Sequence, residues 1–166
     1  MMFFFGISEE LPELLQHMRT FWPEAKGKFH IDAWREITNV DNYSIEIIDR
    51  TAFTEGANHL YFLNLGGYKP DEFEEYHYKM LTVSSKMSSA IRSAKKTSFY
   101  KHCGFDGAIS HIDQKYGIDV DNIYKVSDIL SADLKLRYAI KISPMENPGP
   151  EDALNIGYTS IKSLKR

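Results

Sequence analysis

The strongest constraint on how this chain folds is a repeat within it. The words His30-Ile31-Asp32 and Val40-Asp41-Asn42 return in the same order as His111-Ile112-Asp113 and Val120-Asp121-Asn122, at offsets of 81 and 80 residues. Upstream, at an offset of 76, Ser8 matches Ser84, and Leu11, Leu14, Leu15 and Met18 fall on Met87, Ala90, Ile91 and Ala94. Apolar residues at this spacing lie on one face of a helix. The correspondence therefore extends across secondary structure, and a chain with such self-similarity is expected to be two diverged copies of one unit of roughly 80 residues.

Each copy reads in the same order. The run Phe3-Phe4-Phe5-Gly6-Ile7 and residues 78–83 look like strands entering a helix, with Ser8 and Ser84 or Ser85 as N-caps. The helices are expected over 9–21 and 86–100. Pro12 is compatible with the first because proline fits an opening helical turn. Gly27, and Gly104 with Gly107, provide the exits. A hairpin follows at 29–37 and 43–48 around the turn 39–42, with counterparts at 108–113 and 122–126. The second copy carries one more strand at its front, Leu60-Tyr61-Phe62-Leu63-Asn64-Leu65 before Gly66-Gly67. Copy one has no counterpart, so a sheet edge beside residues 3–7 is expected to be open, and a homodimer to cover it.

The expected organisation is repeat unit 1 over 1–50, a polar linker, repeat unit 2 over 59–142, and a Pro-containing tail over 143–166. Within the second part, 127–135 reads as a short helix and 137–142 as a strand. The tail docks through Leu154, Ile156, Tyr158 and Ile161 or stays loose. The fold class is α+β: internally duplicated β-α-β-β units forming a mixed sheet packed on helices.

At 166 residues, 43% hydrophobic and 26% charged, the chain is expected to be globular and long enough for its own core. A net charge of −3 gives no general basic field for nucleic acid. The single cysteine, Cys103, excludes an intrachain disulfide framework, and a reducing, cytoplasmic setting is the default. The apolar opening lacks a basic flank and is interrupted by Glu9 and Glu10, so neither a signal peptide nor a membrane span is expected.

The candidate sites follow from the repeated triplet. In a strand, alternate residues point the same way, which puts His30 beside Asp32 and His111 beside Asp113. An imidazole next to a carboxylate serves general-base chemistry and metal ligation, making these four the catalytic candidates. No H-E-x-x-H or comparable spacing accompanies them, so no metal and no cofactor is expected. Occurrence in both copies favours a structural contact, because a fold-determining interaction is needed in every unit. The ligand-binding candidates are Trp34 and Arg35, types common at interface hot spots, and Tyr100, Lys101 and His102. The latter, with Lys95, Lys96 and Phe99, resemble a small basic and aromatic surface; cations in a last helical turn also suit the helix dipole. Glu72, Glu74, Glu75 and His77 form an acidic stretch without EF-hand spacing. Cys103, beside His102, reads as a packed thiol.

Taken together, Phe21-Trp22-Pro23-Glu24, His30-Ile31-Asp32-Ala33-Trp34-Arg35-Glu36, Phe99-Tyr100-Lys101-His102 and Ser110-His111-Ile112-Asp113 resemble a small bacterial family, domain of unknown function 1543. Its members carry one or two copies of the unit. The resemblance spans about residues 3 to 130. It implies the duplication and a bacterial source, and it assigns no activity, cofactor or catalytic residue. The family's first strand and Gly-Gly turn, matched by residues 60–67, have no partner in copy one. The resulting expectation is an intracellular binding or scaffold protein, a homodimer. The alternatives are a small hydrolytic or metal-dependent enzyme using the His-Ile-Asp pairs, and an accessory nucleic-acid binder.

Overall fold

Asp41 (φ 53°) and Asn42 (φ 65°) stand between Val40 and Tyr43, both in left-handed backbone. Two central residues at positive φ make the two-residue turn whose twist suits a hairpin. It joins β2 (Asn39–Val40) to β3 (Tyr43–Asp49). The structure is a computed structural model that describes residues 2–68, 71–96, 118–147 and 149–165. Helices and antiparallel sheets make the chain α+β. It divides into two compact units: Met1–Phe53 with Leu130–Arg166, and Thr54–Ile129.

In the first unit the far edge of β3 is taken by β7 (Tyr138–Pro144), antiparallel from Tyr43 opposite Pro144 to Asp49 opposite Tyr138. Glu46 faces Lys141 across the pair, their side chains 3.2 Å apart, a contact that favours this register over a slipped one. β1 (His30–Trp34) does not join β3 in the expected hairpin, where the short β2 stands beside Tyr43 and Ser44, and pairs instead with β8 (Asn155–Ser160). The tail is therefore docked. It is held where the Met145 N–H donates to the Asn42 carbonyl at 2.9 Å and where the Asn39 carboxamide donates to the carbonyls of Gly149 and Pro150. The Asp152 carboxylate also accepts from the N–H groups of Thr38 and Asn39 and from the Thr38 hydroxyl.

Residues 3–7 do not form the expected strand. The Phe4 ring sits edge-on to Phe21 at 5.4 Å, and a Cβ added to Gly6 would come within 2.6 Å of the Leu14 side chain. This apolar run packs on the helical segment behind it, and the sheet edge on which the expected dimer contact rested is not formed there. That segment is a 3-10 turn (Leu11–Leu14) running into α1 (Leu15–Phe21). Ser8 is not its cap: its hydroxyl donates to the Glu10 carbonyl, while the Glu13 carboxylate accepts from the N–H groups of Glu9 and Glu10. The chain leaves through Lys26 (φ 50°) and Gly27 (φ 71°). The buried apolar side chains of this unit are Leu15, Val40, Ile45, Leu130, Leu134, Ala139 and Ile161.

The second unit is a three-stranded antiparallel sheet in the order β5-β4-β6, from β4 (His59–Tyr68), β5 (Glu75–Ser84) and β6 (Ile118–Lys125). The apolar run at 60–65 becomes the central strand, buried from Leu60 through Gly67. Against one face lies α2 (Met87–Ala94). Its Ala90 and Ala94, fully buried one turn apart, let the helix sit close on Tyr61, Leu63 and Leu65. Burial, and then the charge of Asp128, push the Tyr61 phenol pKa up. The N-cap is Lys86, not Ser84 or Ser85; the Ser84 hydroxyl donates to the Lys86 carbonyl.

Several expectations change accordingly. Every described strand pairing is antiparallel and falls in one of three sheets, so no mixed sheet forms among the described residues. The helix expected over 127–135 is two short ones, α3 (Val126–Ile129) and α4 (Ala132–Arg137). Because β7 pairs with β3, residues 130–142 belong with the first unit and not with the second. The duplication is not displayed: residues 3–7 are irregular, whereas their counterparts at 78–83 lie inside β5. Among the described residues no helix is long and apolar enough to cross a membrane.

Candidate functional site

The β1–β8 ribbon brings candidate residues together. His30, Asp32 and Trp34 alternate along β1 and share a face. The His30 Nε2 lies 3.0 Å from the Asp32 Oδ1, with side chains 47% and 65% exposed. At that exposure the contact adds little to stability. The carboxylate nonetheless fixes which way the ring faces.

Strand β8 adds the fourth member, next to a bulge. Ile31 pairs with Thr159 and Ala33 with Ile156, so Gly157 and Tyr158 together stand opposite Asp32 alone. Gly157 makes this possible at φ 141°, a backbone region that a residue with a side chain rarely adopts. Tyr158, two residues from the Ser160 that stands opposite His30, keeps to the His30 face by ordinary alternation, and its ring lies on the imidazole, centroids 4.8 Å apart and planes tilted by 30°. Tyr158, Trp34 and Ile156 all remain exposed, and only Ile31, Thr159 and Ser160 of the ribbon are partly covered. The face thus offers two aromatic surfaces, an imidazole and a carboxylate. It is suited to hold a group by stacking and hydrogen bonding.

Arg35 follows on the chain, but its charge acts on Asp152. That carboxylate is pulled upward by burial and downward, more strongly in sum, by hydrogen bonds from Thr38 and Asn39 and by Arg35, so it sits below the usual carboxylate range. His77 stands 3.7 Å from the Glu75 carboxylate, and the Tyr76 hydroxyl donates to Glu72. Lys95 and Lys96 are exposed beyond α2. His111, Asp113, Tyr100, Lys101, His102 and Cys103 lie outside the described residues. Among the described residues no group of three or more His, Cys, Asp or Glu side chains is placed to hold a metal ion. Sequence reasoning missed Gly157 and Tyr158. The signal available was a glycine inside the alternating run of Leu154, Ile156 and Tyr158, a residue that often marks a bulge in a strand.

An α+β chain with an exposed aromatic and imidazole ribbon is the class that fold and site define. Residues 2–47, which include β1, match the family described as Domain of Unknown Function (DUF1543), as the sequence resemblance implied. No curated protein matches the chain. Among solved structures, one described as a protein Il1583 from Idiomarina loihiensis is similar at 16% identity. The likeness covers 93% of this chain and 80% of that one, with a TM-score of 0.48.

Proposed function

We propose that this is a cytoplasmic binding or scaffold protein that recognises its ligand through the His30, Asp32, Trp34 and Tyr158 face of the β1–β8 ribbon. One observation carries the reading: the Tyr158 ring lies on His30 in a ribbon left largely in water. Ordered aromatic side chains at an exposed position are what recognition uses, and packing does not require them there.

A thermal-shift screen against a chemically diverse set of small molecules and peptides tests it, run on the wild type and on a Trp34→Ala/Tyr158→Ala variant. A ligand at a hundred times its Kd stabilises the folded chain by about 2.7 kcal/mol. The expected outcome is at least one compound class that raises Tm in the wild type and not in the variant. Hits that shift both proteins equally place binding elsewhere and defeat the proposal.

The second reading, a small hydrolytic enzyme, draws on the 3.0 Å contact of His30 with Asp32. It expects turnover of an ester or phosphoester panel that is lost in His30→Gln.

A further inference from the structure

We propose that β8 is an exchangeable strand: in a dimer each copy lays its β8 on the β1 of a second copy, and the partner's Tyr158 completes the His30, Asp32 and Trp34 face. The proposal rests on the reading of that ribbon as the binding element, and names its partner as another copy of this chain.

Three features lead there. The first is the weak seat of β8. Leu154, Ile156 and Tyr158 are 59%, 79% and 73% exposed, so among the described residues this stretch of the strand is held mainly by backbone hydrogen bonds interrupted at the bulge and by the ring contact of Tyr158 with His30. Its neighbour β7 makes seven uninterrupted pairs and buries Ala139. A strand that covers little apolar surface opens at low local free energy. Ile161, just past β8, is the one buried apolar anchor nearby, and exchange carries it to the equivalent seat on the second copy.

The second feature is the hinge. Asp152 is pinned by the Thr38 and Asn39 N–H groups at 2.7 and 2.9 Å, and β8 begins at Asn155. Only Ala153 and Leu154, both exposed, lie between the fixed point and the strand. A short connection to an anchored segment invites exchange, since the strand leaves as a unit while everything before it stays in place.

The third is the balance of contacts. Exchange forms the same pairs between copies that one copy forms with itself, His30 opposite Ser160 through Trp34 opposite Asn155. Nothing is lost but the entropy of association, so the dimer is favoured by concentration alone.

Ile31 and Thr159 stand directly opposite each other. In a Cys103→Ser background, one chain carrying Ile31→Cys is mixed with another carrying Thr159→Cys and then oxidised. A covalent heterodimer whose yield rises with protein concentration is the expected result. The double variant, in one chain, shows whether the pair can bridge. If it closes its own bridge while the mixture gives no heterodimer, the proposal falls. Sedimentation of the unaltered chain gives an independent reading. A dimer fraction is expected that shrinks when a short glycine-serine insert lengthens the hinge between Asp152 and Ala153. A chain monomeric throughout the concentration series overturns the exchange whatever the cross-links do. A heterodimer in a protein whose ligand screen places binding elsewhere would leave the exchange standing and remove only the reading of the face.

Discussion

Replacing Asp152 by alanine removes a carboxylate that accepts from the Thr38 N–H at 2.7 Å, the Asn39 N–H at 2.9 Å and the Thr38 hydroxyl at 2.6 Å. Hydrogen bonds to a charged group contribute about 1.5–3 kcal/mol each when buried. Asp152 is partly in water and its donors regain solvent when it is gone, so about 2 kcal/mol in total is expected for the set. For a chain of this size each kcal/mol moves Tm by about 2–4 °C, which gives a drop of about 4–8 °C if the units melt together. Asp152→Asn keeps the shape and one carbonyl oxygen, and retains about half the effect. The pH dependence has a defined sign. The folded pKa lies below the unfolded one, so the stabilisation is complete above the ordinary carboxylate value and is lost as pH falls through the folded value. Thermal melts of wild type and alanine variant should therefore differ at neutral pH and converge only below about pH 4. An alanine variant melting within about one degree of wild type at neutral pH, or a gap that persists unchanged in strong acid, refutes the reasoning.

Two further outcomes follow from packing and backbone geometry. Leu63 is fully buried between α2 and the neighbouring strands, so Leu63→Ala should cost about 2–5 kcal/mol, read by chemical denaturation. A loss under about 1 kcal/mol would show that the sheet and helix do not meet there as described. Gly157→Ala places a side chain at φ 141° and should destabilise the ribbon by about 1–3 kcal/mol. Hydrogen exchange should quicken at β1 and β8 and stay unchanged at β3 and β7; uniform protection in the variant would mean the bulge does not need glycine.

What could be read in advance were features written in neighbouring residues. The run from Leu60 to Leu65 announces a buried strand, the spacing of Met87, Ala90, Ile91 and Ala94 announces α2, and the stretch 39–42 announces a turn, which the structure narrows to Asp41 and Asn42. The contact of His30 with Asp32 was legible for the same reason, since two residues on one strand face need no distant partner. Residues 3–7 misled because strand propensity is a weak prior and tertiary contact with Phe21 and Leu14 outweighed it. The pairing of β1 with β8 left no local mark: it joins segments far apart in the chain, and the tail that carries β8 is fixed by Asp152 at Thr38. Tyr158 could not be joined to His30 from the sequence, because nothing local announces that β8 lies beside β1.

The discontinuity of the first unit bears on how the chain matures on the ribosome. β3 emerges early, yet the strand that zips along it is translated only after the whole of Thr54–Ile129 has passed. Closing so long a span as loose polymer is entropically slow, and prior folding of the intervening unit shortens the flexible path that must be closed. A chain ending before Tyr138 would keep β4, β5 and β6 of the second unit and leave β3 without the strand that pairs along it.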